Sequence, residues 1–226
     1  MKKRLVLILT AAILTFSVAA CGKDDAANDT NDTSTVETGT ETTPATDDAA
    51  TTEPTDTATD DGAATGDATV NSAVDVLANV WATYGEDEMF FAMGGDMNNP
   101  VDNAPGLYSM DDAEMLSFAL YIPADSIALV DEAASLVHAM NANTFTGASF
   151  HLIDSANAEA LTTALRDNIQ STQWMCSFPD KLVIFTVNDE YVISAFGNID
   201  IMENFKNKVT EVYGENAVLV IEENIA

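Results

Sequence analysis

Apolar side chains between residues 70 and 221 recur with two different periods, and each change of period marks an element. Val74, Leu77, Val80, Trp81 and Tyr84 follow helical spacing behind Ser72-Ala73-Val74-Asp75, a capping sequence with Asp in the usual place of Glu, and Gly85 ends the run. A helix is expected over 72–84. Met89, Phe90, Phe91 and Met93 form a short helical or irregular patch closed by Gly94-Gly95, and 95–108 reads as a loop because Pro100, Pro105 and several Asn and Asp leave little regular structure. A further helix starts at Ser109-Met110-Asp111-Asp112, places Met115, Leu116, Ala119 and Leu120 on one face, and ends at Pro123.

Residues 126–140 fit two patterns. Ile127, Val130, Ala134 and Val137 suit a helix, whereas Leu136–Met140 suits a buried strand. The reading adopted is a strand over about 135–141, a turn through Ala142–Gly147 and a second strand over 148–153. A turn centred between Thr144 and Phe145 pairs Val137 with Leu152 and Ala139 with Phe150. A helix over 155–171 carries Ala158, Leu161, Leu165 and Ile169 in register. Leu182–Val187 and Tyr191–Phe196 then form a hairpin about Asn188-Asp189, with Leu182, Ile184, Tyr191 and Ile193 on one face and Val183, Phe185 and Val192 on the other. Apolar residues on both faces imply cover on both sides. Asp200-Ile201-Met202-Glu203 reads as a capping box for a helix ended by Gly214, and Ala217–Ile221 as a last strand. The fold class is α+β, an antiparallel-rich sheet packed by helices, with a C-terminal β-α-β-β-α-β (ferredoxin-like) order and an N-terminal helical extension. In that topology the first strand has later strands on both sides and no free edge for 135–141. Either that segment is helical or the sheet order differs.

The N-terminus has a different grammar. Lys2, Lys3 and Arg4 precede an apolar run from Leu5 to Val18, and small residues lead to Cys21, which is the pattern of a signal peptide over 1–20. The run is short for a membrane span. Val18-Ala19-Ala20-Cys21 resembles the lipobox of bacterial lipoproteins, which implies diacylation of Cys21 and a membrane anchor of two acyl chains. From Gly22 to Ala68 the chain is rich in Thr, Asp, Ala and Glu, with Val36 its large apolar side chain, so a disordered spacer over 21–68 and a folded domain over 69–226 are expected. The 226-residue chain has a formal charge of −29. Residues 1–20 hold three of its eight Lys+Arg and none of its 37 acids, which leaves five bases and a net of about −32. So strong an acidic balance argues against nucleic acid and against anionic membrane surfaces as partners.

Candidate chemistry is sparse. The hairpin register above sets His138 opposite His151, two imidazoles that are candidates for sharing a metal ion or sensing pH. No Cys, Asp or Glu is pinned beside them to complete a ligand set, and the plainer expectation is two half-exposed histidines. Asp96, Asn98, Asp102 and Asn103 hold oxygen ligands without the spacing of a calcium loop. Cys176, beside Trp174 and Met175, is expected to be a buried, inert thiol. No G-x-S-x-G, H-E-x-x-H, C-x-x-C, Walker A or G-x-G-x-x-G occurs, so no catalytic residue and no cofactor is assigned. The bases of the folded part, Arg166, Lys181, Lys206 and Lys208, are too few for a phosphate clamp to be expected.

The lipobox, the acidic spacer, Met140-Asn141 before a strand, the helix Asn157–Gln173 and the hairpin Lys181–Ser194 together resemble an uncharacterised family of lipoproteins from Gram-positive bacteria that carry a domain of unknown function. The likeness spans about 110–213, departs at Thr146-Gly147 where an acidic pair is usual, and implies no activity. Two functions are carried forward. One is a non-catalytic binding or accessory module, anchored to the outer face of the cell membrane through Cys21, that holds a surface protein or peptide, by the sheet or by the Met/Phe region at 89–93. The other is a carboxylate-dependent hydrolase of wall glycan or peptide.

Overall fold

The computed structural model describes residues 68–140 and 143–225; the expected signal segment, Cys21 and all of the spacer but Ala68 lie outside the described residues. Polar side chains set where the helices begin. In α1 (Ala73–Trp81) the Ser72 hydroxyl accepts from the Asp75 N–H at 3.1 Å and Asp75 reaches back to the Asn71 N–H at 3.0 Å. In α2 (Ala113–Leu120) the Asp112 carboxylate accepts from the Met115 N–H at 3.0 Å. The other two helices are α3 (Ala158–Ser171) and α4 (Ile199–Tyr213). The Asp200–Glu203 box expected for α4 does not form. Asp180 instead accepts from the Ile199 N–H at 3.1 Å, which frees Glu203 to meet Lys181 and Lys206.

The strands are β1 (Ala92–Asp96), β2 (Asn99–Asp102), β3 (Gly106–Tyr108), β4 (Val130–His138), β5 (Phe145–Leu152), β6 (Lys181–Val187), β7 (Tyr191–Gly197) and β8 (Ala217–Asn224). They form one antiparallel sheet in the order β2-β1-β4-β5-β7-β6-β8, with β3 also paired to β4. The architecture is α+β, an antiparallel sheet packed by helices. On one face α1 and α4 bury Leu77, Val80, Phe205 and Val209 against Val183, Phe185 and Ile193. On the other, α2 and α3 bury Leu116, Leu120, Leu161 and Leu165 against Phe150, Leu182, Ile184 and Val192. The β6–β7 pair is thus covered on both sides, as its two apolar faces require.

Three expectations are corrected. The ferredoxin-like topology is absent although its element order is present: β8 joins the free edge of β6, and β5 keeps an edge for β4. The short β4–β5 connection makes that pairing cheap in loop entropy, so it takes the edge before a distant strand can. The β6–β7 turn holds three residues, with Asn188 and Asp189 at positive φ, so Val187 pairs with Tyr191 and not one position on. That single step moves Tyr191 and Ile193 onto the face of Val183 and Phe185, and Val192 onto the face of Leu182 and Ile184. The 95–108 loop is largely strand. Asp96 holds the β1–β2 turn by accepting from the N–H groups of Asn98 (2.7 Å) and Asn99 (3.0 Å), and Pro100 is accommodated because β2 is an edge.

Candidate functional site

On the α2 side of the sheet, two adjoining cavities of about 650 Å³ and 440 Å³ share Phe118 and Val137. The larger lies among the end of α2, the β4–β5 connection and the segment that follows α3. Its wall is aromatic: Tyr121 packs edge-on to Phe196 at 4.9 Å, and Trp174 touches both rings at 5.3 Å. Tyr121 closes α2 in the left-handed region (φ 58°), which a bulky side chain seldom adopts. Its carbonyl accepts from the Asn168 side chain at 2.8 Å, which ties α2 to α3 at that point. The smaller cavity runs between α2 and β1, over Met93, Met97 and Met115.

Charge is sparse in this groove. Among the described residues no Asp, Glu, Lys or Arg lines the larger cavity, and the smaller has Asp96, whose carboxylate accepts from three backbone N–H groups, the third being Ser109 at 3.1 Å. Those bonds, the one from Asn98 foremost, hold its pKa below the ordinary carboxylate range. In a chain with 37 acids, the larger cavity, lined by no Asp, Glu, Lys or Arg among the described residues, offers a charged ligand no counter-charge. Along its rim Phe118, Met97 and Met175 are 75%, 82% and 86% exposed. Thioether chains have three flexible bonds and adapt to varied apolar shapes.

His138 ends β4 at the larger cavity. Its ring stacks on Phe90 at 4.9 Å and 6°, and its Nδ1 accepts from the Met140 N–H at 3.0 Å, which leaves the proton of the neutral ring on Nε2. Burial pushes its pKa below the usual histidine value. His151 is elsewhere. It faces Glu132 across the ladder, and its Nδ1 meets Asp131 at 2.6 Å. The expected His138–His151 opposition therefore fails: β4 and β5 pair Val137 with Thr146, a slip of six residues that leaves the histidines about 20 Å apart along the strands. A slip by an even number keeps the alternation of faces, so the pattern of apolar residues does not detect it. Among the described residues no group of three or more His, Cys, Asp and Glu is placed to hold a metal ion.

Other candidates are also displaced. Cys176 is exposed on the segment after α3, not buried, and stands at the rim of the larger cavity. Of the Met/Phe stretch 89–93, Phe90 turns inward against Trp81 and Phe145, Met89 and Phe91 point outward, and Met93 reaches the groove. The groove residues Phe118, Tyr121, Asn168 and Trp174 escaped the sequence reading. Phe118 carried the one available signal, an aromatic on the polar side of α2.

A third cavity, about 470 Å³, is lined by Asp96, Asp111, Asp131 and Glu132. Glu132 accepts from the Ala73 N–H at the start of α1 at 2.6 Å, and Asp131 holds His151. Wherever surroundings shift a described carboxylate they shift it down: Glu88 by the Gly85 N–H, Asp96 by that of Asn98, Glu203 and Glu222 by Lys181, and Glu223 by Arg166. A glycosidase acid needs the opposite shift. Comparison with protein-family models, curated proteins and solved structures finds no match, so the site is read from its own geometry.

Proposed function

We propose that this protein is a lipid-tethered binding module. Acylated Cys21 holds it at the outer face of the cell membrane, the acidic spacer stands it off the bilayer, and the α2 groove takes an uncharged, apolar stretch of a surface protein or peptide. One observation carries the reading: among the described residues the larger of the two adjoining cavities has no Asp, Glu, Lys or Arg in its lining and is thioether- and aromatic-rimmed, in a chain of net charge −29. An apolar segment gains from burying Phe118, Met97 and Met175, whereas a charged one loses its hydration without a counter-charge. The acidic surface speaks against nucleic acid as a partner.

The test uses Trp174, whose emission reports on the cavity it lines. Uncharged peptides rich in Leu, Met and Phe are titrated into the full chain, beside versions in which two apolar positions are replaced by Asp. The neutral set is expected to shift the emission saturably, the Asp set to fail, and Phe118→Asp to abolish the response. Equal response to both sets, or undiminished binding by Phe118→Asp, refutes the groove. The tether is checked separately: Cys21→Ser is expected to lose fatty-acid label and leave the membrane fraction. The hydrolase reading requires a carboxyl group held protonated, whereas Glu88, Asp96, Glu203, Glu222 and Glu223 among the described residues are shifted the other way by their neighbours.

A further inference from the structure

The sheet has an edge at each end, and the chain treats the two differently. β2 is four residues long, carries Pro100, which has no N–H to offer, and ends in Asp102. Both devices discourage pairing with a foreign strand. β8 is eight residues long and, among the described residues, pairs along one side, with β6. Its stretch Ala217–Ile221 has no Pro, Gly or charge, and Val218, Leu219 and Val220 are 54%, 40% and 47% exposed. A long apolar edge with neither Pro nor charge is a template for another strand, although the ladder to β6 skips Val220 between Leu219 (opposite Phe185) and Ile221 (opposite Ile184).

The strand also specifies its partner. Ala217-Val218-Leu219-Val220-Ile221 reads almost alike in both directions about Leu219. Laid antiparallel on a second copy, Leu219 meets Leu219, Val218 meets Val220 and Ala217 meets Ile221, the self-complementarity that a two-fold interface demands. Charge points the same way. On most of this acidic surface, contact between copies sets carboxylate against carboxylate. At β8 the carboxylates are already bound. Glu222 meets Lys181, and Lys206 at 2.8 Å, on the α4 side; Glu223 takes a two-pronged bond from Arg166, at 2.8 and 3.1 Å, on the α3 side. Three of the folded part's bases, Arg166, Lys181 and Lys206, thus flank this one strand, leaving Lys208 elsewhere.

We propose that β8 is a homodimer interface, in which two copies join antiparallel through Ala217–Ile221 and their sheets become continuous. The tether favours this pairing, since confinement to one membrane surface raises the effective concentration of each copy for the other. Opposed residues of an antiparallel pair have Cα atoms about 4.5–5.5 Å apart, within disulfide reach. The experiment uses the full chain in mild detergent, with Cys21→Ser and Cys176→Ser removing its own thiols. Leu219→Cys is expected to form a disulfide dimer on oxidation. A mixture of Val218→Cys and Val220→Cys chains is expected to cross-link several-fold more than either alone. In the chain without added cysteines, Leu219→Lys is expected to move sedimentation from dimer to monomer while the circular-dichroism spectrum stays unchanged and the unfolding temperature loses its dependence on protein concentration. Indifferent cross-linking at 218, 219 and 220, or a monomer already in the unsubstituted chain, overturns the proposal.

Discussion

Replacing Gly94 by alanine tests how the groove's β1 wall is held. A Cβ on Gly94 would lie 2.3 Å from the Gly106 nitrogen, 2.4 Å from the Ala104 carbonyl oxygen and 2.5 Å from the Pro105 carbonyl carbon. All three are backbone atoms, so no side chain can turn away. The φ of Gly94 lies outside the left-handed region, so the cost is contact and not backbone strain. β1 is bonded on both sides, with Gly94 opposite Val101 of β2 and Leu136 of β4, so the segment carrying Gly106 has to retreat by about an ångström. That retreat loosens the β3–β4 ladder at Gly106–Ser135 and the bond of 3.0 Å from the Ser135 hydroxyl to the Gly95 carbonyl. Two to four such bonds at about 1 kcal/mol each, less about 0.4–1 kcal/mol gained by restricting the unfolded chain, leave a net loss of about 1–3.6 kcal/mol. The unfolding temperature should fall by about 2–14 °C for a domain of this size. Gly85 is the control. A Cβ there meets Glu88 Oε2 at 3.5 Å, an ordinary contact, so Gly85→Ala should be neutral or stabilising by about 0.4–1 kcal/mol. Urea and thermal unfolding followed by circular dichroism measure both. A Gly94→Ala chain within about 0.5 kcal/mol of the parent, or an equal fall in both variants, refutes the reasoning.

The ion cluster between α4 and β8 gives a pH prediction. Lys181, then Lys206, hold Glu203 down to about 2 from an ordinary 4.5, so its contribution is complete above 4.5 and is lost as pH falls towards 2. Lys181→Met should flatten the fall of unfolding temperature over that window. Burial lowers the pKa of His138, so ring signals in an NMR titration should turn over below 6.5, and Phe90→Ala, which uncovers the ring, should raise the midpoint towards it. Because the folded value is the lower one, this group withdraws stability as pH falls from 6.5 through it. Phe150→Ala, in the fully buried core under α3, should cost about 3–5 kcal/mol in urea denaturation, whereas Phe118→Ala on the exposed rim should stay within about 0.5 kcal/mol.

Local chemistry was legible in the residues themselves. Ser72 and Asp112 mark helix starts because a capping bond spans three residues, and the two-sided apolar run 182–196 announces a strand pair covered on both faces. The α+β class follows from these periods alone. Tertiary structure decided what periodicity leaves degenerate. A six-residue slip of β4 on β5 preserves every inward and outward position, and so separates His138 from His151 without altering the pattern. β1, β2 and β3 are short, rich in Gly and Pro, and become strands because β4 offers an edge and Asp96 gathers their backbone N–H groups. The groove is of the same kind: Phe118, Tyr121, Asn168 and Trp174 come from separate segments, and α2 meets the end of α3 because both must cover one face of the sheet. A period is a property of neighbours along the chain, whereas a register, a sheet order and a cavity belong to residues that meet once the chain has closed on itself.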